Sequence, residues 1–189
     1  MKSLSSRGFT LIELLVTVAL AAVLMMVAVP SFTTFTRNSQ LASFTNTLLA
    51  GINAARGEAM KRGRYAMVVP ANGTSWDSGW IVFVDMDRSQ TYVAANDIRI
   101  LASETTPTYL TITGNGTAGG STPYVMYDAS GYSRTKTGSF AALTFEVKRN
   151  DISNFDQMRR LKIASSGRAR ICTPTSSSDA TCSATASNL

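Results

Sequence analysis

The sequence predicts an α+β fold, with one long N-terminal α-helix, partly transmembrane, packed on a C-terminal head of antiparallel β-strands. Three observations carry that expectation. Phe9 to Val29 is almost wholly apolar, with Thr10, Glu13 and Thr17 as the exceptions. Leu41, Phe44, Leu48, Ile52, Ala55 and Ala59 then recur at spacings of three or four, which is one apolar face of a helix. After Gly63 the pattern breaks into short apolar segments separated by turn residues.

Taken in order, residues 9–29 as a helix would be roughly 30 Å long, about one hydrocarbon core. Lys2 and Arg7 lie just before them, which predicts a cytoplasmic N-terminus. Pro30 is expected to kink the helix. Residues 30–62 form its amphipathic half, ending near Lys61 with Gly63 as the stop. Strands are expected at Tyr65–Val69, Trp80–Val84, Ile98–Ala102, Tyr109–Thr113, Tyr124–Tyr127, Leu143–Lys148 and Arg160–Ala164, within a head of residues 63–171. Asn72-Gly73 and Gly114-Asn115-Gly116 read as turns between them. Residues 172–189 form a tail. No internal repeat and no second domain are evident.

The chain has 189 residues, is 44% hydrophobic, and carries a formal charge of +6. The bulk of the excess lies between Glu146 and Arg170. There Lys148, Arg149, Arg159, Arg160, Lys162, Arg168 and Arg170 face only Glu146, Asp151 and Asp156. A localised surplus of this kind points to a binding surface. The chain has no histidine, which removes Ser-His-Asp and Cys-His catalysis and most zinc sites. Cys172 and Cys182 are the two cysteines. Their even count and close spacing suggest a disulfide and an oxidising compartment; two unpaired thiols are the alternative.

Three readings compete for the N-terminus. A secretory signal would end in a small-x-small cleavage site, which Met26-Val27-Ala28-Val29-Pro30 is not. A plain anchor leaves Glu13 unexplained, because a carboxylate that deep in a bilayer is costly without a partner. A helix that packs among like helices gives Glu13 such a partner. Gly8-Phe9-Thr10-Leu11-Ile12-Glu13 resembles the type IV prepilin motif. The resemblance implies that residues 1–8 are a leader and that a prepilin peptidase cuts between Gly8 and Phe9. It implies N-methylation of Phe9 and pairing of Glu13 with the N-terminal amine of a neighbouring pilin. The helix-then-strands plan then reads as pilin-like. The head, with Gly79-Trp80-Ile81-Val82-Phe83-Val84-Asp85-Met86-Asp87, resembles the GspH/FimT branch of minor pilins and pseudopilins.

Asp85 and Asp87, with Asp97 beyond, suggest calcium, but Ser89 and Gln90 stand where a calcium loop needs a third ligand and then a glycine. A solvated strand-end loop is expected instead, with no metal, no cofactor and no enzyme activity. In Arg160-Leu161-Lys162-Ile163, strand alternation sends Leu161 and Ile163 inward and Arg160 and Lys162 outward. Gly167 permits a turn, and Arg168 and Arg170 would then point the same way, able to take neighbouring phosphates bidentately. Gly167-Arg168-Ala169-Arg170 resembles the Gly-Arg-x-Arg tail of FimT-type pilins, which are associated with DNA binding in natural transformation. The resemblance implies phosphate-backbone binding of DNA by Arg168 and Arg170. Arg160, Lys162, Lys148 and Arg149 are expected to support it. The expected setting is a single-pass inner-membrane protein with a periplasmic head, later part of a pilus. A structural minor pilin or a type II secretion pseudopilin without DNA binding is the alternative.

Overall fold

Thr10 starts the helix: its hydroxyl accepts the Glu13 backbone N–H at 3.3 Å, and its carbonyl accepts that of Leu14. This is the acceptor half of a Thr-x-x-Glu capping box. The computed structural model describes residues 8–151 and 154–186. Helix α1 spans Leu11–Arg62. The chain divides at Gln40/Leu41 into two units.

In the first unit α1 is apolar and exposed, and three of its threonines are satisfied within the helix. Thr17, Thr33 and Thr36 donate to the carbonyls of Leu14, Val29 and Phe32. The helix runs through Pro30 without a break. Proline removes one backbone donor there, and the apolar residues on both sides still favour helix. An eighteen-residue stretch of α1 has a mean hydropathy of 2.6, long and apolar enough to cross a membrane.

In the second unit α1 ends as expected. Gly63 takes φ +65° and the Arg64 N–H reaches back to the Ala59 carbonyl, a Schellman closure. Eight strands follow: β1 Tyr65–Pro70, β2 Trp80–Asp85, β3 Ile98–Ala102, β4 Leu110–Asn115, β5 Val125–Tyr127, β6 Leu143–Arg149, β7 Met158–Ile163 and β8 Ala169–Cys172. They form two antiparallel sheets, ordered β3-β2-β1-β5 and β4-β6-β7-β8.

The core joins the predicted helix stripe to both sheets. Leu41, Leu48, Ile52, Ala55 and Ala59 pack with Ala66, Val68, Trp80, Val82, Val84, Phe145, Val147, Leu161 and Ile163. Among the described residues every buried apolar side chain lies at Leu41 or later, so the head closes its core without the first unit. The first sheet is buried on its other face too, where Met67, Phe83 and Met126 pack with Tyr92 and Tyr124. That explains the unbroken apolar run of β2, since a strand covered on both faces has no need to alternate.

The second sheet does alternate. Leu143, Phe145 and Val147 of β6 and Leu161 and Ile163 of β7 point into the core. Thr144, Glu146 and Lys148 and their partners Lys162, Arg160 and Met158 lie on the other face. Residues 181–185 of the tail run over that face, with hydrogen bonds from Asn115 to the Ala184 carbonyl and from Thr144 to the Thr185 carbonyl. Cys172 and Cys182 are joined in a disulfide, as the paired reading of the cysteines expects.

Candidate nucleic-acid interface

The β7–β8 hairpin turn is built on Gly167. The Gly167 N–H donates to the Ala164 carbonyl at 2.8 Å, and the Ala164 N–H to the Arg168 carbonyl at 2.9 Å. Gly167 adopts φ +81°, the left-handed region that such a turn requires. The turn lies against Gly131. Arg56 of α1 ties the two loops together, its Nε donating to the Gly131 carbonyl at 2.9 Å and its Nη2 to the Ser166 carbonyl at 3.2 Å. The Ser133 N–H donates to the Ser165 carbonyl at 3.1 Å. Arg168 is thus carried on a turn braced from two sides. Its side chain is exposed and, among the described residues, has no hydrogen-bond or ion partner.

The other predicted cations are placed differently. Arg170 is half-buried and donates through Nη2 to the Thr181 carbonyl. Its Nε is buried and has no hydrogen-bond partner among the described residues. Arg168 and Arg170 are therefore not an equivalent pair of open forks. Arg160 points away from the core as expected, yet is only 4% exposed, because the tail covers it. It pairs with Glu146 at 2.8 Å and donates to the Cys182 carbonyl. Lys162 is 2% exposed and is bonded to Ser183 and Thr185. Burial, and then the neighbouring Arg170 and Arg160 charges, push the Lys162 ammonium pKa below its usual value. Arg149 is 3% exposed. Strand parity puts it on the same side as Val147, where Asp151 engages it bidentately at 2.9 and 2.6 Å. The expectation that Arg160, Lys162 and Arg149 offer open charge to a phosphate is corrected on these grounds. Lys148 is exposed.

The tail is fixed by Asp179 as well as by the disulfide. Its carboxylate accepts the Thr175, Thr181 and Cys182 amides and two threonine hydroxyls. Those bonds, led by the Thr175 amide, hold its pKa far below the carboxylate range.

Asp85, Asp87 and Asp97 come within 4.8 Å of one another. The loop is not the solvated one expected from sequence, for Asp85 and Asp97 are buried. Asp85 accepts the Ser89 and Gln90 amides, and Asp97 those of Met86 and Val93. Burial raises the Asp85 pKa despite those amides. These carboxylates already brace the β2–β3 loop, and their geometry needs no ion to explain it.

At the N-terminus Gly8, Phe9 and Glu13 are exposed. Leader residues 1–7 lie outside the described residues.

A long helix, apolar and then amphipathic, leading into an antiparallel head and entered through Gly-Phe-Thr-Leu-Ile-Glu, defines the chain as a type IV pilin-like protein. The profile of the prokaryotic N-terminal methylation motif matches residues 4–29. That of the type II transport protein GspH matches residues 45–167, well over half of the chain. The chain belongs to the GspH family. Among solved structures, the type IV minor pilin FimU of Pseudomonas aeruginosa superposes with a TM-score of 0.53 at 20% identity, covering 73% of this chain and 92% of that one. A second crystal form of FimU gives 0.49 at 17% identity, covering 72% and 90%. At such identity the likeness speaks for the fold alone. A search of curated proteins gave no match.

Arg56 and the tail carbonyls escaped the sequence reading. Arg56 is separated from the turn it braces by 110 positions, and no local pattern marks that contact.

Proposed function

We propose that this GspH-family chain is a minor type IV pilin that binds extracellular DNA non-specifically during natural transformation. Prepilin peptidase cuts between Gly8 and Phe9, and the new Phe9 amine is methylated. Residues 9–29 hold the protein in the inner membrane with the head in the periplasm. Pairing of Glu13 with a neighbour's amine then carries the helix into a filament of other pilins, and the head reaches the cell surface.

The observation that carries the DNA reading is Arg168, an exposed guanidinium on a braced turn with no partner among the described residues. A fixed fork loses little conformational freedom on meeting a phosphate. Lys148 is exposed on the same sheet, beside Met158 at the end of β7 away from the Arg168 turn. Arg170 contributes by holding the tail and by its field.

A structural role, as a filament-priming minor pilin or a type II secretion pseudopilin, is the second reading. The burial of Arg160, Lys162 and Arg149 favours it, since three of the expected cations serve the fold.

A transformation assay separates the two. Arg168→Gln with Arg170→Gln should lower DNA uptake while pilus number is unchanged. Wild-type uptake in that double variant would leave the structural reading standing.

A further inference from the structure

We infer that Tyr132 and Phe140 form a base-stacking platform beside Arg168, and that the site takes single-stranded DNA. The inference rests on the DNA-binding reading above and names its substrate.

The β5–β6 connection folds into a small hairpin, with bridges Tyr127 to Ser133 and Arg134 to Phe140. Its arms are tied by the Arg134, Thr135 and Ala141 amides to the carbonyls of Met126, Ser139 and Ser133. Tyr132 and Phe140 meet across it edge to face, with ring centroids 5.5 Å apart. Phe140 remains 58% exposed and Tyr132 42%. Two neighbouring aromatic rings left in water are an unfavourable arrangement unless something covers them.

The pair is also built rigidly. The Arg134 guanidinium sits 3.8 Å from the Phe140 ring centroid and 5.9 Å from that of Tyr132. Asp128 fixes that guanidinium through Nε at 2.6 Å, and the Gly138 carbonyl accepts from Nη1. One partner of Phe140 is thus a cation already neutralised by Asp128, so the stack presents π surface with little net charge of its own.

Its position gives the platform its ligand. Gly131, which precedes Tyr132, is the residue against which Gly167 packs, and Gly167 precedes Arg168. Tyr132 and Arg168 therefore flank a single braced crossing, each one Cα step of about 3.8 Å from it, and Phe140 joins Tyr132 across the small hairpin. An anionic polymer with flat apolar faces satisfies both halves at once. Bases in a duplex are already stacked on one another, whereas those of a single strand are free to stack on side chains.

The test measures binding of the full chain in non-ionic detergent to three probes of equal length: a short oligothymidylate, an abasic strand and a duplex. The wild type should bind oligothymidylate at least several-fold more tightly than the abasic strand. Tyr132→Ala with Phe140→Ala should weaken oligothymidylate binding about tenfold, the scale of one lost stack, and leave the abasic strand unaffected. Phe140→Trp should restore it, which separates stacking from damage to the hairpin. Arg168→Gln should weaken all three probes. If the aromatic variant binds oligothymidylate like the wild type while Arg168→Gln does not, the platform is refuted and the DNA reading survives. An aromatic variant of that kind that also fails to enter filaments would make the pair a pilin-docking surface instead. If Arg168→Gln changes none of the probes, the DNA reading fails and the platform falls with it.

Discussion

Gly167 and Gly131 cross so closely that a β-carbon on Gly167 would lie 1.9 Å from the Gly131 carbonyl oxygen. The glycine that opens Gly-Arg-x-Arg is therefore needed for its missing side chain, and the proposed phosphate contact begins one residue later. Gly167→Ala should destabilise the head by at least about 1–2 kcal/mol from the left-handed backbone alone, with the clash adding to it. It should also weaken DNA binding with every charge retained. Urea denaturation of a head fragment starting near Arg37 measures the first effect, since that fragment retains the whole core.

Arg168 and Lys162 should separate cleanly. Arg168→Gln removes an exposed group with no partner among the described residues and should shift stability by no more than about 0.5 kcal/mol. Lys162→Met strips the Ser183 and Thr185 acceptors of their donor and should cost about 1–3 kcal/mol. Thermal melts of the two variants beside gel shifts should show binding lost in the first and stability lost in the second.

The disulfide closes a short loop, so Cys172→Ser with Cys182→Ser should cost roughly 2–3 kcal/mol on the chain-entropy model. The tail it releases includes the carbonyls that hold Arg170, Arg160 and Lys162. Limited proteolysis should cut beyond residue 180 faster in the double variant. Equal rates would mean that the hydrogen bonds alone keep the tail in place.

Acid should loosen the tail through Asp179. Its folded pKa is depressed, so its stabilising contribution is full above the usual carboxylate value near 4 and fades as pH falls toward the lower folded value. Asp128 works in the same direction. Burial raises its pKa, but the Arg134 bond and the Tyr132 and Ser130 amides outweigh that and leave it lowered. Asp85 has the opposite sign: its raised pKa means that stability falls as pH climbs through the carboxylate range. Protection of the Thr181 and Cys182 amides, taken against their intrinsic exchange rates, should fall below about pH 4 in the wild type. In Asp179→Asn it should be low at neutral pH already.

Much of this fold was legible because its signals are local. The helix stripe from Leu41 to Ala59, the stop at Gly63 and the strand at Ile98–Ala102 follow from periodicity and glycine chemistry. The split into two sheets was not legible, since β5 joins β1 across most of the head and no short-range pattern encodes that pairing. Strand β8 has no counterpart among the expected strands, being only four residues long. Alternation placed Arg160 and Lys162 outside the core, but it could not show that residues 181–185 return to cover them. Arg149 was misplaced because its parity with Val147 went unused. Asp85 and Asp97 were read as solvated because the buried loop amides that they accept lie beyond the strand.

The salt dependence of DNA binding by the wild type and by Arg168→Gln tests the account most directly. The logarithm of affinity should fall linearly with the logarithm of salt, with a slope of about −0.7 to −0.9 per phosphate contacted. The variant should bind more weakly with a slope shallower by about one such contact, while its melting temperature is unchanged. Identical affinities and slopes in the two proteins would contradict the account.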